Sequence, residues 1–74
     1  MARRPRMVER KVAMVRTVVA VPVMGSMTGC VRVGKDRVEG MVWRDGWVYV
    51  KGKDGEGAVG PGVIAWVEFE KDDG

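Results

Sequence analysis

The chain has 74 residues, room for one small domain whose core alone supplies about 3–5 kcal/mol. It contains no His, Leu, Asn or Gln and a single cysteine, Cys30, which excludes an intrachain disulfide, an ordinary zinc site and any Ser–His or Cys–His catalytic pair. Thirteen Lys and Arg against ten Asp and Glu give a net charge of +3, and the excess is N-terminal: Arg3, Arg4, Arg6, Arg10, Lys11 and Arg16 face only Glu9 there.

Residues 1–6, with three Arg and Pro5, read as a flexible basic arm. From Met7 to Val23 two periodicities compete. Val8, Val12, Val15 and Val19 are spaced as on a helix, whereas Val15, Thr17, Val19, Val21 and Val23 alternate as on a strand. The β-branched run favours a strand from about Val12, and residues 7–16 stay open between the two. Pro22 confines the end of this segment to an edge or a bulge, and Met24-Gly25-Ser26 is a turn.

Regular punctuation follows. Met27 to Val33 is predicted as a strand, Gly34-Lys35-Asp36 as a tight turn and Val38 to Trp43 as the next strand. Arg44-Asp45-Gly46 is a hairpin turn, since Asp-Gly between β-rich runs is a strong short-range signal, and Trp47 to Lys51 returns. Lys51 to Gly62 is a glycine-rich loop with a short strand at Ala58-Val59. Val63 to Glu70 closes the chain, with Val63, Ala65, Val67 and Phe69 expected on one face and Ile64 and Trp66 on the other. Apolar on both sides, it should be central or lie at an interface. A Gly-Lys-Asp turn after a Val-containing strand recurs at 34–36 and 52–54, a hint of pseudo-symmetric hairpins. The expectation is all-β: a small five- to six-stranded barrel, SH3-like or OB-like, over residues 7–70, with the basic arm before it and an acidic tail at 71–74.

Little in the chain suggests catalysis. Gly55-Glu56-Gly57-Ala58-Val59-Gly60 matches G-x-G-x-x-G, but Pro61-Gly62 and a strand follow where a dinucleotide site needs a helix N-terminus. The carboxylate pairs Glu68/Glu70 and Asp72/Asp73 lie in a charge-rich, solvated stretch. Cys30 has Arg32 two residues on, which would favour its thiolate if both are exposed; a buried small apolar residue is the commoner fate. The expectation is therefore no enzyme, no cofactor, no metal and no small-molecule substrate.

Aromatic and basic residues form the best functional set. Trp43, Trp47 and Tyr49 flank the hairpin that carries Arg44, Lys51 and Lys53; Trp47 and Tyr49 share a face, and Trp43 is placed to approach Trp47 across the turn. Exposed aromatics beside cations are how small barrels stack bases and track phosphates, while the same aromatics can equally build the core of a Leu-free domain. Locally, Val42-Trp43-Arg44-Asp45-Gly46 followed by Gly55-Glu56-Gly57-Ala58-Val59 resembles the DNA-binding sheet of a family of archaeal chromatin proteins. That resemblance implies a nucleic-acid surface on this sheet. It departs at Asp45, where an apolar wedge is implied, and at Glu56, where a basic contact is.

The leading expectation is low-specificity nucleic-acid binding. Arg3, Arg4, Arg6, Arg10 and Lys11 would form an electrostatic arm, Arg44, Lys51 and Lys53 would contact phosphates, and Trp47 and Tyr49 would stack or wedge. The alternative is a protein-interaction or self-assembly module, of the kind a phage accessory protein provides, that pairs its Val63 to Val67 strand with a partner or a second copy. A further one is an artificial, reduced-alphabet barrel with no evolved ligand. A homo-oligomer and a cytoplasmic location are expected, with no membrane partner, since no stretch reaches the 18 or so apolar residues of a span. Residues 1–30 also resemble a lipoprotein signal ending at Cys30, a pattern that Arg16 and Pro22 interrupt.

Overall fold

Competition between helix and strand in the first segment resolves to strand. In the computed structural model, which describes residues 9–71, β1 runs without interruption over Glu9–Val23. Five further strands follow: β2 Ser26–Arg32, β3 Val38–Arg44, β4 Trp47–Gly52, β5 Gly55–Val59 and β6 Ile64–Phe69. Every pairing is antiparallel. β1 takes three partners along its length: β3 at residues 9–11, β6 at 12–17 and β2 at 14–23. β4 and β5 then continue outward from β3. One strand thus belongs to two sheets, β2–β1–β6 and β1–β3–β4–β5, which curl toward each other.

The inner faces share one core of Val12, Val15, Val23, Val31, Val38, Met41, Val48, Val50 and Val59. Val12, Val15, Val31 and Val48 are fully buried, each stabilising by roughly 1.5–2 kcal/mol. The bends come from irregular register. Val12 pairs Phe69 but Met14 pairs Glu68, so Ala13 is the extra residue, and β1 resumes with Val15 inward and Met14 outward. Met14 is buried nonetheless, on the outer side and outside the core cluster.

Two hairpins turn on left-handed residue pairs. Asp45 and Gly46 have φ of 58° and 85°, the two-residue primed turn that matches strand twist, as the Asp-Gly pair predicts. Met24 and Gly25 do the same at 48° and 89°, with a residue that turn statistics do not favour. Met24 is held there by packing: its side chain lies against the core and over Gly52. Asp45→Asn is expected to leave the thermal midpoint unchanged, whereas Asp45→Val, β-branched at positive φ, should cost about 1–2 kcal/mol. Both Gly-Lys-Asp segments are turns, and they dock on each other. Lys53 N–H donates to the Arg37 carbonyl at 3.2 Å, and the Arg37 guanidinium pairs with Asp54. That exposed ion pair contributes under about 1 kcal/mol.

The sheet does not close. Instead of a complete barrel the domain is a curled, open half-barrel of five to six strands, because among the described residues β5 pairs β4 alone. A groove of about 420 Å³ separates β5 and Gly60 from Val21, Pro22, Val23 and Met24 of the first hairpin. The physical reason lies in Gly55-Glu56-Gly57-Ala58-Val59, where only Val59 buries a side chain. A strand with so little to pack does not draw the far wall onto itself.

Candidate functional site

Cross-strand partners share a face of a sheet, so the register decides which predicted residues meet. Arg44 pairs Trp47, Val42 pairs Tyr49 and Gly40 pairs Lys51, while Glu9 and Lys11 pair Arg44 and Val42. Lys11, Arg44, Trp47, Tyr49 and Lys51 therefore lie together on the outer face of β3–β4. Lys53 sits in the turn after β4. Arg10 does not join them. It pairs Trp43 on the opposite face, and its guanidinium lies 3.8 Å over the Phe69 ring. Trp43 also faces inward, edge-on to Phe69 with centroids 6.3 Å apart. Trp43 and Trp47 thus stand on opposite faces and do not approach across the turn, since adjacent pairs of a ladder alternate sides. Arg3, Arg4 and Arg6 lie outside the described residues.

The outer face is organised but electrically balanced. The Arg44 guanidinium lies 4.8 Å over the Tyr49 ring and bonds Glu9 at 3.1 Å. Its pKa is raised further above an already high value, first by the Tyr49 hydroxyl and less by Glu9, so it stays charged. Trp47 is 43% exposed, because its ring lies against Gly60, where an added Cβ would stand 3.1 Å from it. A shallow groove of about 390 Å³ over Gly40, Val42 and Gly57 is bordered by Lys11, Lys51, Glu39, Glu56 and Glu70. Counting Arg44 and its partner Glu9, three cations meet four carboxylates. That is a poor surface for a polyanion.

A second surface lies on the β2–β1–β6 sheet; the sequence pointed to its β6 part through Val63 to Val67, but not to its β1 and β2 part. Arg16 pairs Cys30 and Val21 pairs Thr28, so residues 17–20 of β1 stand opposite Gly29 alone and bulge outward. Thr17 Oγ1 donates to the Val19 carbonyl at 2.5 Å, and Val18 N–H bonds the Val63 carbonyl at 2.9 Å, fixing the bulge. Val18 and Val19 on it are each more than half exposed, as are Met27 on β2 and Trp66 on β6. Trp66 pairs Arg16, and its indole N–H donates to Glu68 at 3.4 Å.

The expected faces of the last strand also change. Arg16 pairs Trp66 while Thr17 pairs Ile64, so Ala65 is bulged and Ile64 joins Val67 and Phe69 against the core. Among the described residues β6 pairs β1 alone, which leaves its other edge without a strand.

Comparison with protein-family models, with curated proteins and with solved structures gave no match to this chain. Among the described residues no group of three or more His, Cys, Asp or Glu is placed to hold a metal ion, and no helix is long and apolar enough to cross a membrane. The G-x-G-x-x-G match falls mostly within β5, and the chain leads from it into Pro61 and β6.

Proposed function

We propose that this chain is a protein-interaction module that takes up another polypeptide at the apolar rim of the β2–β1–β6 sheet, by strand addition to β6. The observation that carries this reading is the placement of Val18, Val19, Met27 and Trp66 on three adjacent strands, the last with an edge that no strand among the described residues pairs. Singly exposed apolar residues are ordinary. An exposed apolar set bordering open backbone donors and acceptors is what an interface requires. A small domain with a single cysteine, and so no intrachain disulfide, also gains stability from any partner that binds only the folded state. Sedimentation velocity from micromolar to millimolar protein is expected to show mass rising with concentration. Trp66→Ser should move that midpoint at least about tenfold higher, a loss of roughly 1.4 kcal/mol. A wild-type chain that stays monomeric throughout removes the self-assembly form of this reading.

A second reading, low-specificity nucleic-acid binding, draws support from the meeting of Lys11, Arg44, Trp47, Tyr49 and Lys51 on one face. Glu9, Glu39, Glu56 and Glu70 around the same face weigh against it. Tryptophan emission during oligonucleotide titration separates the two. Saturable quenching that fades with salt supports nucleic acid; constant emission with no mobility shift leaves the interaction module.

A further inference from the structure

We infer that the strand added to β6 is β6 of a second copy, paired antiparallel about a two-fold axis through Val67. This rests on the interaction reading above and fixes its partner and register. The backbone comes first. Glu70 N–H bonds the Lys11 carbonyl at 2.9 Å, so Glu70 turns its polar groups toward β1. In an antiparallel strand the N–H and C=O of one residue point the same way and successive residues alternate. Glu68 and Trp66 therefore also point to β1, while Val67 and Phe69 present N–H and C=O to the open edge. A two-fold axis at Val67 makes Val67 and the partner's Val67 a hydrogen-bonded pair that exchanges both bonds.

Side chains select the same register. An axis between residues would set an outward side chain opposite an inward one, which the alternation of a sheet forbids. An axis at Glu68 sets two carboxylates directly opposite each other, a destabilising like-charge pair. An axis at Trp66 draws the bulged Ala65 into the centre of the ladder, opposite the partner's Val67. An axis at Phe69 sets Glu68 opposite the partner's Glu70, again a like-charge pair. Only the axis at Val67 avoids all of these. It places Trp66 opposite the partner's Glu68 in a non-hydrogen-bonded pair, with Cβ atoms about 4.5–5.5 Å apart. The indole N–H, which reaches its own Glu68 at a long 3.4 Å, then faces a second carboxylate. Both Trp66 side chains lie on the outer face, diagonal neighbours across the axis, and Val67 and Phe69 of both copies stay on the core side. The two copies of β2–β1–β6 form one continuous sheet, and neither keeps a free β6 edge.

Two readouts on the whole chain test this alongside its sedimentation. In the unaltered protein, hydrogen exchange at the Val67 and Phe69 amides should slow at least about tenfold between the dilute and the concentrated sample. In a Cys30→Ala background, a mixture of Trp66→Cys and Glu68→Cys chains should form a mixed disulfide under mild oxidation, at least about tenfold faster than either chain alone, because the paired positions fall within bonding geometry. Rising mass with both results establishes the register. Rising mass with unprotected Val67 and Phe69 amides and no preferred mixed disulfide overturns the β6 pairing and leaves self-association through another surface. A monomer at every concentration overturns the pairing and the self-assembly reading together.

Discussion

Gly52→Ala is expected to lower stability by about 2 kcal/mol and the melting temperature by roughly 10 °C, a large share of what a core this small provides. Gly52 ends β4 where the two hairpin ends meet. A Cβ built there would lie 2.6 Å from the Met24 sulfur and its methyl carbon, and 2.8 Å from the Arg37 carbonyl oxygen. The methionine can move, at the cost of the packing that holds residue 24 at positive φ; the carbonyl cannot, because Lys53 N–H is bonded to it. Gly40→Ala is the matched control. It sits on β3 with nothing within 4 Å of an added Cβ, so its effect should stay within about 0.5 kcal/mol. Combining Gly52→Ala with Met24→Ala should recover none of the loss caused by the carbonyl. Urea unfolding of the four chains reads all of this directly, and a Gly52→Ala protein as stable as Gly40→Ala would disprove the close approach.

The parts of the fold that were legible rest on local chemistry. Alternating β-branched residues from Val12 and the Asp45-Gly46 turn follow from a few neighbouring side chains and appear where the sequence puts them, whereas the loop expected over Lys51 to Gly62 instead holds the end of β4 and the whole of β5, whose glycines form a strand only because β4 offers a ladder. Register is a different kind of fact. Whether Ile64 points in or out depends on the bulge at Ala65, and that bulge exists only in relation to β1. The same holds for Trp43, whose inward direction is set by pairing with Arg10 and Val48 rather than by its distance from Trp47. Closure failed for a related reason. Counting strands gives a barrel, but closing one needs side chains on the outer wall, and of the five residues of β5 two are glycine and only Val59 is buried. The site divides along the same line. Trp47, Tyr49, Arg44 and Lys51 were read together because they are neighbours in a hairpin. Val18, Val19, Met27 and Trp66 come from three strands: the two-sided apolarity of Val63 to Val67 pointed to the β6 part, and the apolar run Val18-Val19-Ala20, where alternation should have placed a polar residue, was the unused signal for the β1 part.

Arg10 gives the sharpest contrast between sequence role and structural role, and Phe69 is where to measure it. Phe69→Ala, assayed by urea unfolding at a concentration where the chain is monomeric, is expected to cost about 3 kcal/mol. Half-buried on β6 opposite Val12, the ring packs against the core and meets Trp43 edge-on at 6.3 Å and 88°. That arrangement adds about 0.5–1.5 kcal/mol to the area it buries. Arg10 covers the remaining side, its guanidinium 3.8 Å from the ring centroid, a contact worth about 0.5–1 kcal/mol at an exposed site. Arg10→Ala should therefore cost that much in the wild type and close to nothing in a Phe69→Leu background, since Leu fills volume without a π-face. Such coupling marks Arg10 as a lid on the aromatic end of the core, committed to holding β6 against β1. A cost that is the same in both backgrounds would show that Arg10 acts independently of Phe69 and would overturn its role as a lid on the aromatic end of the core.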